Sequence, residues 1–141
     1  MASAFAHAVS AVALSTAFPE SRLPRWTWAV GAVCAGLPDL DFVAFDLGIP
    51  YDHVLGHRGL SHSLPFAALV AGVALWAVRA FRTAPSSAAL LLYFFLCAGS
   101  HGLIDAMTDG GLGIAFFAPF SGERYFLPWR PITVAPIGVL P

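Results

Sequence analysis

The chain has 141 residues, 58% hydrophobic and 11% charged, with a net charge of −1 and a mean hydropathy of +0.76. Soluble domains run about 45–50% apolar and about 25% charged. A chain this small could not hide so much apolar surface from water, so lipid is the expected solvent. All seven basic residues are Arg, and the near-neutral balance leaves no electrostatic footprint for nucleic acid.

Four apolar segments and a tail follow in chain order. The first runs from about Ala2 to Phe18 and closes at Pro19-Glu20. It lacks the basic n-region of a signal peptide and carries His7, so it reads as a retained helix. Trp26 and Trp28 open the second at interface depth, and it runs to about Leu37, where Pro38 is expected to break it. A polar loop spans Asp46 to Arg58. The third segment covers about His62–Val78, with Pro65 in its first turn, where a missing N–H costs little. The fourth covers about Ser86–Ile104. Three of them are near the lower length limit for crossing a bilayer core of ~30 Å, and the second, as bounded by Pro38, is shorter. The expected fold is therefore all-α: a single domain over 1–141, an integral membrane bundle of about four transmembrane helices. Its tail, 119–141, is rich in Pro and aromatic residues.

Orientation is read from the arginines. Arg22 and Arg25 lie between segments one and two, Arg79 and Arg82 between three and four. The positive-inside rule assigns those loops to the cytoplasm. Arg58, Arg124 and Arg130 fall on the other side and weaken the bias. The expected location is a bacterial-type inner (plasma) membrane, multi-pass, with both termini and the His57 loop facing outward.

Polar residues are placed with a pattern. His7 opens the first segment and Asp39 and Asp41 close the second. His57 and His62 open the third, and His101 and Asp105 close the fourth. If the helices alternate in direction, all seven gather at one membrane face. His101 and Asp105 are four apart and share a helix face. Asp39 and Asp41 share a side if the backbone there is extended. Taken singly, each residue has a structural explanation: an imidazole in a hydrogen bond, or Ser61 or Asp105 as a helix cap. Together, three carboxylates and four imidazoles in lipid would cost several kcal/mol each if unpaired, and one Arg cannot neutralise three carboxylates. One or two divalent cations could. Mixed His/Asp ligation suits zinc, with manganese or iron as alternatives. Asp46, Asp52, His53 and Asp109 read as solvated loop groups, Glu20 and Glu123 as surface charges, and Cys34 and Cys97 as buried apolar residues.

The run Leu37-Pro-Asp-Leu-Asp41, the block His57-Arg-Gly-Leu-Ser-His-Ser63, His101-x-x-x-Asp105 and the tail Glu123-Arg-Tyr-Phe-Leu-Pro-Trp-Arg-Pro-Ile132 resemble the YdjM-like family of membrane-bound proteins regarded as metal-dependent hydrolases. That family is distantly similar to the zinc phospholipase C and single-strand nuclease superfamily. The resemblance implies metal ligands among His7, Asp39, His57, His62, His101 and Asp105, with Asp105 able to bridge two ions. It also leads to the expectation of a further hydrophobic helix where this chain ends at Gly138–Pro141, marking a short or truncated member.

The function expected is hydrolysis by a metal-activated water. Arg58 is the expected clamp on a phosphoryl oxygen, and Asp41 the general base or the orienter of a ligand imidazole. A site at the membrane lip suits a lipid or lipid-linked phosphoester. The alternatives are a non-catalytic metal-binding protein, a regulatory membrane protein, and a metal-independent lipid phosphatase, which would need more basic residues than this chain has. A Ser61/His62 nucleophile pair is disfavoured, because adjacent side chains on a helix face apart.

Overall fold

Four apolar helices carry the architecture, and the computed structural model describes residues 3–82 and 86–134 of it. The ending Gly138–Pro141 lies outside the described residues. Helix α1 (Ala4–Ser15) starts at Ser3, whose hydroxyl accepts from the Ala6 N–H. Helix α2 (Thr27–Gly36) passes directly into a 3-10 segment, Leu37–Phe42, and then a short helix α3 (Val43–Asp46). A second 3-10 turn, Leu60–His62, precedes α4 (Leu64–Phe81), and α5 is Ser87–Ala106. Ser63 and Ser86 cap α4 and α5 by accepting from Phe66 N–H and Ala89 N–H.

Three stretches are long and apolar enough to cross a bilayer: Thr27–Asp46, Leu64–Phe81 and Ser87–Ala106. Helix α1, with 12 residues, rises only about 18 Å and packs against α2 and α5. No strand is present among the described residues, and only two isolated bridges, Thr108 to Ile132 and Ile114 to Tyr125, organise the segment after α5.

Pro38 does not end the second span. Without an N–H it cannot make the α-helical bond, and the chain tightens into 3-10 geometry and continues to Asp46. The backbone at Asp39 and Asp41 is thus helical, not extended. At three residues per turn, positions two apart leave the helix in different directions, and the two carboxylates meet different nitrogens of His62, Asp39 at Nε2 and Asp41 at Nδ1.

Small residues let the helices approach, as membrane packing requires. Ala11, Ala35, Ala67, Ala71 and Ala98 are buried around Leu90, Tyr93, Phe94 and Cys97 of α5. Cys34 and Cys97 are buried free thiols within this core. The Tyr93 hydroxyl crosses to donate to the Ala11 carbonyl at 2.9 Å. Its path runs over Gly31, where an added Cβ would overlap the phenol.

Candidate metal centre

The antiparallel order of the helices brings the amino end of α1, the carboxyl ends of α2 and α5 and the start of α4 to one end of the bundle. There Asp39, His62, His101 and Asp105 converge, all buried, with one potential ligand atom from each lying within 4.8 Å of the others. His101 Nε2 is 3.2 Å from Asp39 Oδ1, and His62 Nε2 is 3.6 Å from Asp105 Oδ2.

The tautomers follow from the partners. His101 Nδ1–H donates to the Ala35 carbonyl at 2.6 Å, and His62 Nδ1 faces Asp41 Oδ2 at 3.1 Å. Both acceptors demand a proton on Nδ1, so in the neutral rings each Nε2 presents a lone pair. Those two lone pairs face each other at 3.1 Å, beside two carboxylates. A proton or a cation must lie between them. Burial alone would lower the pKa of His62, but Asp105 and Asp41 outweigh it and raise the imidazole above its ordinary value.

Asp41 and Asp39 differ in how they are held. Asp41 accepts from His57 Nδ1–H at 2.5 Å, from the Arg58 backbone N–H at 3.1 Å, from the Ser61 hydroxyl and from His62. Both oxygens are engaged, Oδ1 by His57 and Oδ2 by the other three, and the carboxylate orients two imidazoles at once. Asp39, in contrast, accepts no hydrogen bond among the described residues although both its oxygens are buried. This acceptor-only group, facing two imidazole nitrogens, fits a cation ligand.

His57, His62 and Asp41 form a second potential ligand group. His57 Nε2 is buried without a partner among the described residues. His7 stacks on His101, ring centroids 3.7 Å apart and 15° from parallel, with Nε2 3.7 Å from Asp105 Oδ1. It belongs to the cluster but to neither ligand group, and both its nitrogens lack a hydrogen-bond partner among the described residues.

Arg58 is buried to 1% exposure. Its NH1 donates to the Gly110 carbonyl at 2.7 Å, its NH2 to Thr108 Oγ1 at 2.9 Å, and its Nε lies 3.3 Å from Asp105 Oδ2. The guanidinium is thus turned onto protein acceptors, where the expected role was a clamp open to substrate. A left-handed backbone at Arg58, φ 62°, turns it inward, a conformation costing about 1–2 kcal/mol outside glycine. The Asp41 contact and the Ala115 N–H donating to the Arg58 carbonyl at 3.1 Å hold that turn.

Several supports were invisible in the sequence. Gly102 admits the His62 loop, since a Cβ there would lie 2.8 Å from the His62 carbonyl oxygen. Gly111, at φ 87°, packs under Arg58 NH1 and the Tyr51 hydroxyl. Arg124 donates to the carbonyls of His57, Tyr51 and His53 at 3.1, 2.9 and 3.2 Å, pinning the loop from the tail. In the sequence Arg124 enters the orientation bias and the tail motif, and neither points to the loop that it pins.

Fold and site together define a helical membrane protein with a buried His/Asp group able to hold a metal ion at one end of its bundle. The family model of the YdjM inner membrane protein matches residues 1–141, and the chain belongs to that family. It is 35% identical over 140 residues to inner membrane protein YbcI of Escherichia coli (strain K12), an alignment covering 99% of this chain and 80% of that protein. No solved structure matches.

Proposed function

We propose that the chain is a membrane-bound, metal-dependent hydrolase acting on a phosphoester of a lipid or lipid-linked substrate, with its site on the extracytoplasmic face. The observation that carries this reading is the pair of Nε2 lone pairs facing each other between Asp39 and Asp105. Asp39, Asp41 and Asp105 bring three negative charges against the single guanidinium of Arg58. The remaining −2 matches one divalent cation. Zinc fits the donor set best, with manganese or iron as alternatives, and Asp39, His62, His101 and Asp105 would hold it. Such an ion supplies Lewis acidity and lowers the pKa of a coordinated water toward ~7.

The chain's own residues do the rest. Asp41 orients His62 and His57 through their Nδ1 atoms. His57 can accept a proton at its unpartnered Nε2 while Asp41 steadies the resulting imidazolium. This gives the general-base role to His57 and makes Asp41 a positioning residue. Arg58 holds Asp105 in place from behind. The side chains of Asp39 and Asp41 are the most exposed of the cluster, at 12% and 8%. The surface beside them carries exposed Leu40, Phe42 and Val43, a flank suited to a lipid tail.

The closure of the cluster favours one second reading. Four buried protein ligands complete a tetrahedral shell, as structural zinc sites do, whereas catalytic sites keep a position open. A non-catalytic metal-binding or regulatory protein would fit that closure.

Elemental analysis of detergent-purified protein, wild type beside His101→Ala/Asp105→Ala, tests the metal. One or two equivalents of zinc, manganese or iron, lost in the variant, is the expected result. A folded protein that stays metal-free after metal is offered back would remove the hydrolase reading. His57→Ala separates the two metal readings: it should keep the primary ion and lose hydrolysis of lipid phosphoesters.

A further inference from the structure

The end of the bundle opposite the His/Asp cluster carries a feature that the proposed hydrolysis does not use. An open apolar groove of about 380 Å³ runs between α2 and α4, with Val30, Ala74 and Ala77 along it and Trp26 and Arg82 at its end. The Arg82 guanidinium lies over the Trp26 ring, 5.2 Å from its centroid. From Ala74 to Arg82 the helix rises about 12 Å, the depth from headgroup level to the middle of one leaflet.

Charge at this end is one-sided. Arg22 and Arg25 precede the start of α2, and Arg79 and Arg82 lie at the end of α4, which brings all four to this end. The one carboxylate among them, Glu20, is taken by Arg25, and Arg79 donates to the Ser87 hydroxyl. Arg82 is exposed and makes no ion pair among the described residues. Its aromatic contact orients the guanidinium without neutralising it, leaving its N–H donors for an anion.

We propose that this groove binds an anionic phospholipid, with one acyl chain against Val30, Ala74 and Ala77 and the phosphate on Arg82. The apolar walls select a chain and the guanidinium selects the headgroup charge, so a zwitterionic lipid satisfies only half of the site. The site lies on the far side of the membrane from the metal centre and is independent of whether the chain hydrolyses anything.

The test is native mass spectrometry of protein released from nanodiscs containing equal parts of phosphatidylglycerol and phosphatidylcholine. Wild type should retain phosphatidylglycerol preferentially. Arg82→Gln should reduce that retention about tenfold, with metal content and thermal midpoint unchanged. Arg79→Gln should leave it within about twofold. Ala77→Phe, which fills the groove, should remove both lipids. Equal retention of the two lipids, or an Arg82→Gln variant that binds as wild type does, would overturn the proposal. A protein dimer lost in Ala77→Phe without any lipid adduct would also overturn it, assigning the groove to a second copy of the chain.

Discussion

The two ends of this bundle treat charge in opposite ways. At the His/Asp end, the side chains of a guanidinium, three carboxylates and four imidazoles are exposed by 12% or less, each held by specific neighbours. At the arginine end, Arg22, Arg25, Arg79 and Arg82 are all exposed, and Glu20 is 62% exposed in its pair with Arg25. A charge near lipid can be neutralised by partners or reach the headgroup region. Sequence alone shows both sets as polar groups at segment ends; burial separates the cluster that needs a counter-ion from the residues that need only a surface.

The sharpest break of that contrast removes one buried partner. Asp105→Ala leaves Arg58 facing no carboxylate at Nε and should cost about 3–5 kcal/mol, read as a fall in the unfolding midpoint in detergent. Arg58→Met/Asp105→Ala, which removes the stranded charge, should recover a large part of it. A double variant as unstable as the single one would show that packing, not charge, is at stake.

Asp41→Asn comes next. It keeps all four members of the primary group but weakens the orientation of His62, and metal affinity by competitive chelation should fall about 10–100-fold. An unchanged affinity would mean that the 3-10 backbone alone sets the imidazole.

A smaller effect is the response to pH. The His62 pKa is raised above its ordinary 6.5, so in metal-free protein the stability from its protonation is present below about 6.5 and lost as pH rises through the higher folded value. A cation and that proton compete for one nitrogen. Zinc affinity should therefore fall by about tenfold per pH unit on acidification through this range. Thermal melts with and without chelator should show opposite slopes against pH. The smallest effect belongs to the other end: Arg25→Gln, which breaks an exposed pair, should leave the midpoint unchanged.

Much of this was legible in the residues. Hydropathy located the spans, and the coincidence of His and Asp with their ends located the cluster. The helical backbone that turns Asp39 and Asp41 to different nitrogens of His62 was not legible, because Pro38 can either end a helix or tighten it, and only packing decides. The inward turn of Arg58 was hidden for a related reason. It depends on a left-handed φ and on the Thr108 and Gly110 acceptors, fifty residues away and ordinary in composition. The apolar run also overstates the first helix, which is expected to reach about Phe18 but ends at Ser15.

The stacking of His7 on His101 ties together residues that leave the ribosome at very different moments. At ~5–20 residues per second, His7 emerges roughly 5–20 s before the chain reaches Asp105. Through that interval the first helix has neither its stacking partner nor the Tyr93 hydroxyl on its Ala11 carbonyl. The imidazole must wait at the membrane interface: α1 can pack on α2 at once, but it completes its contacts only when α5 arrives. Assembly of this centre is therefore a late, single event in biosynthesis, closed by the helix that also carries the core.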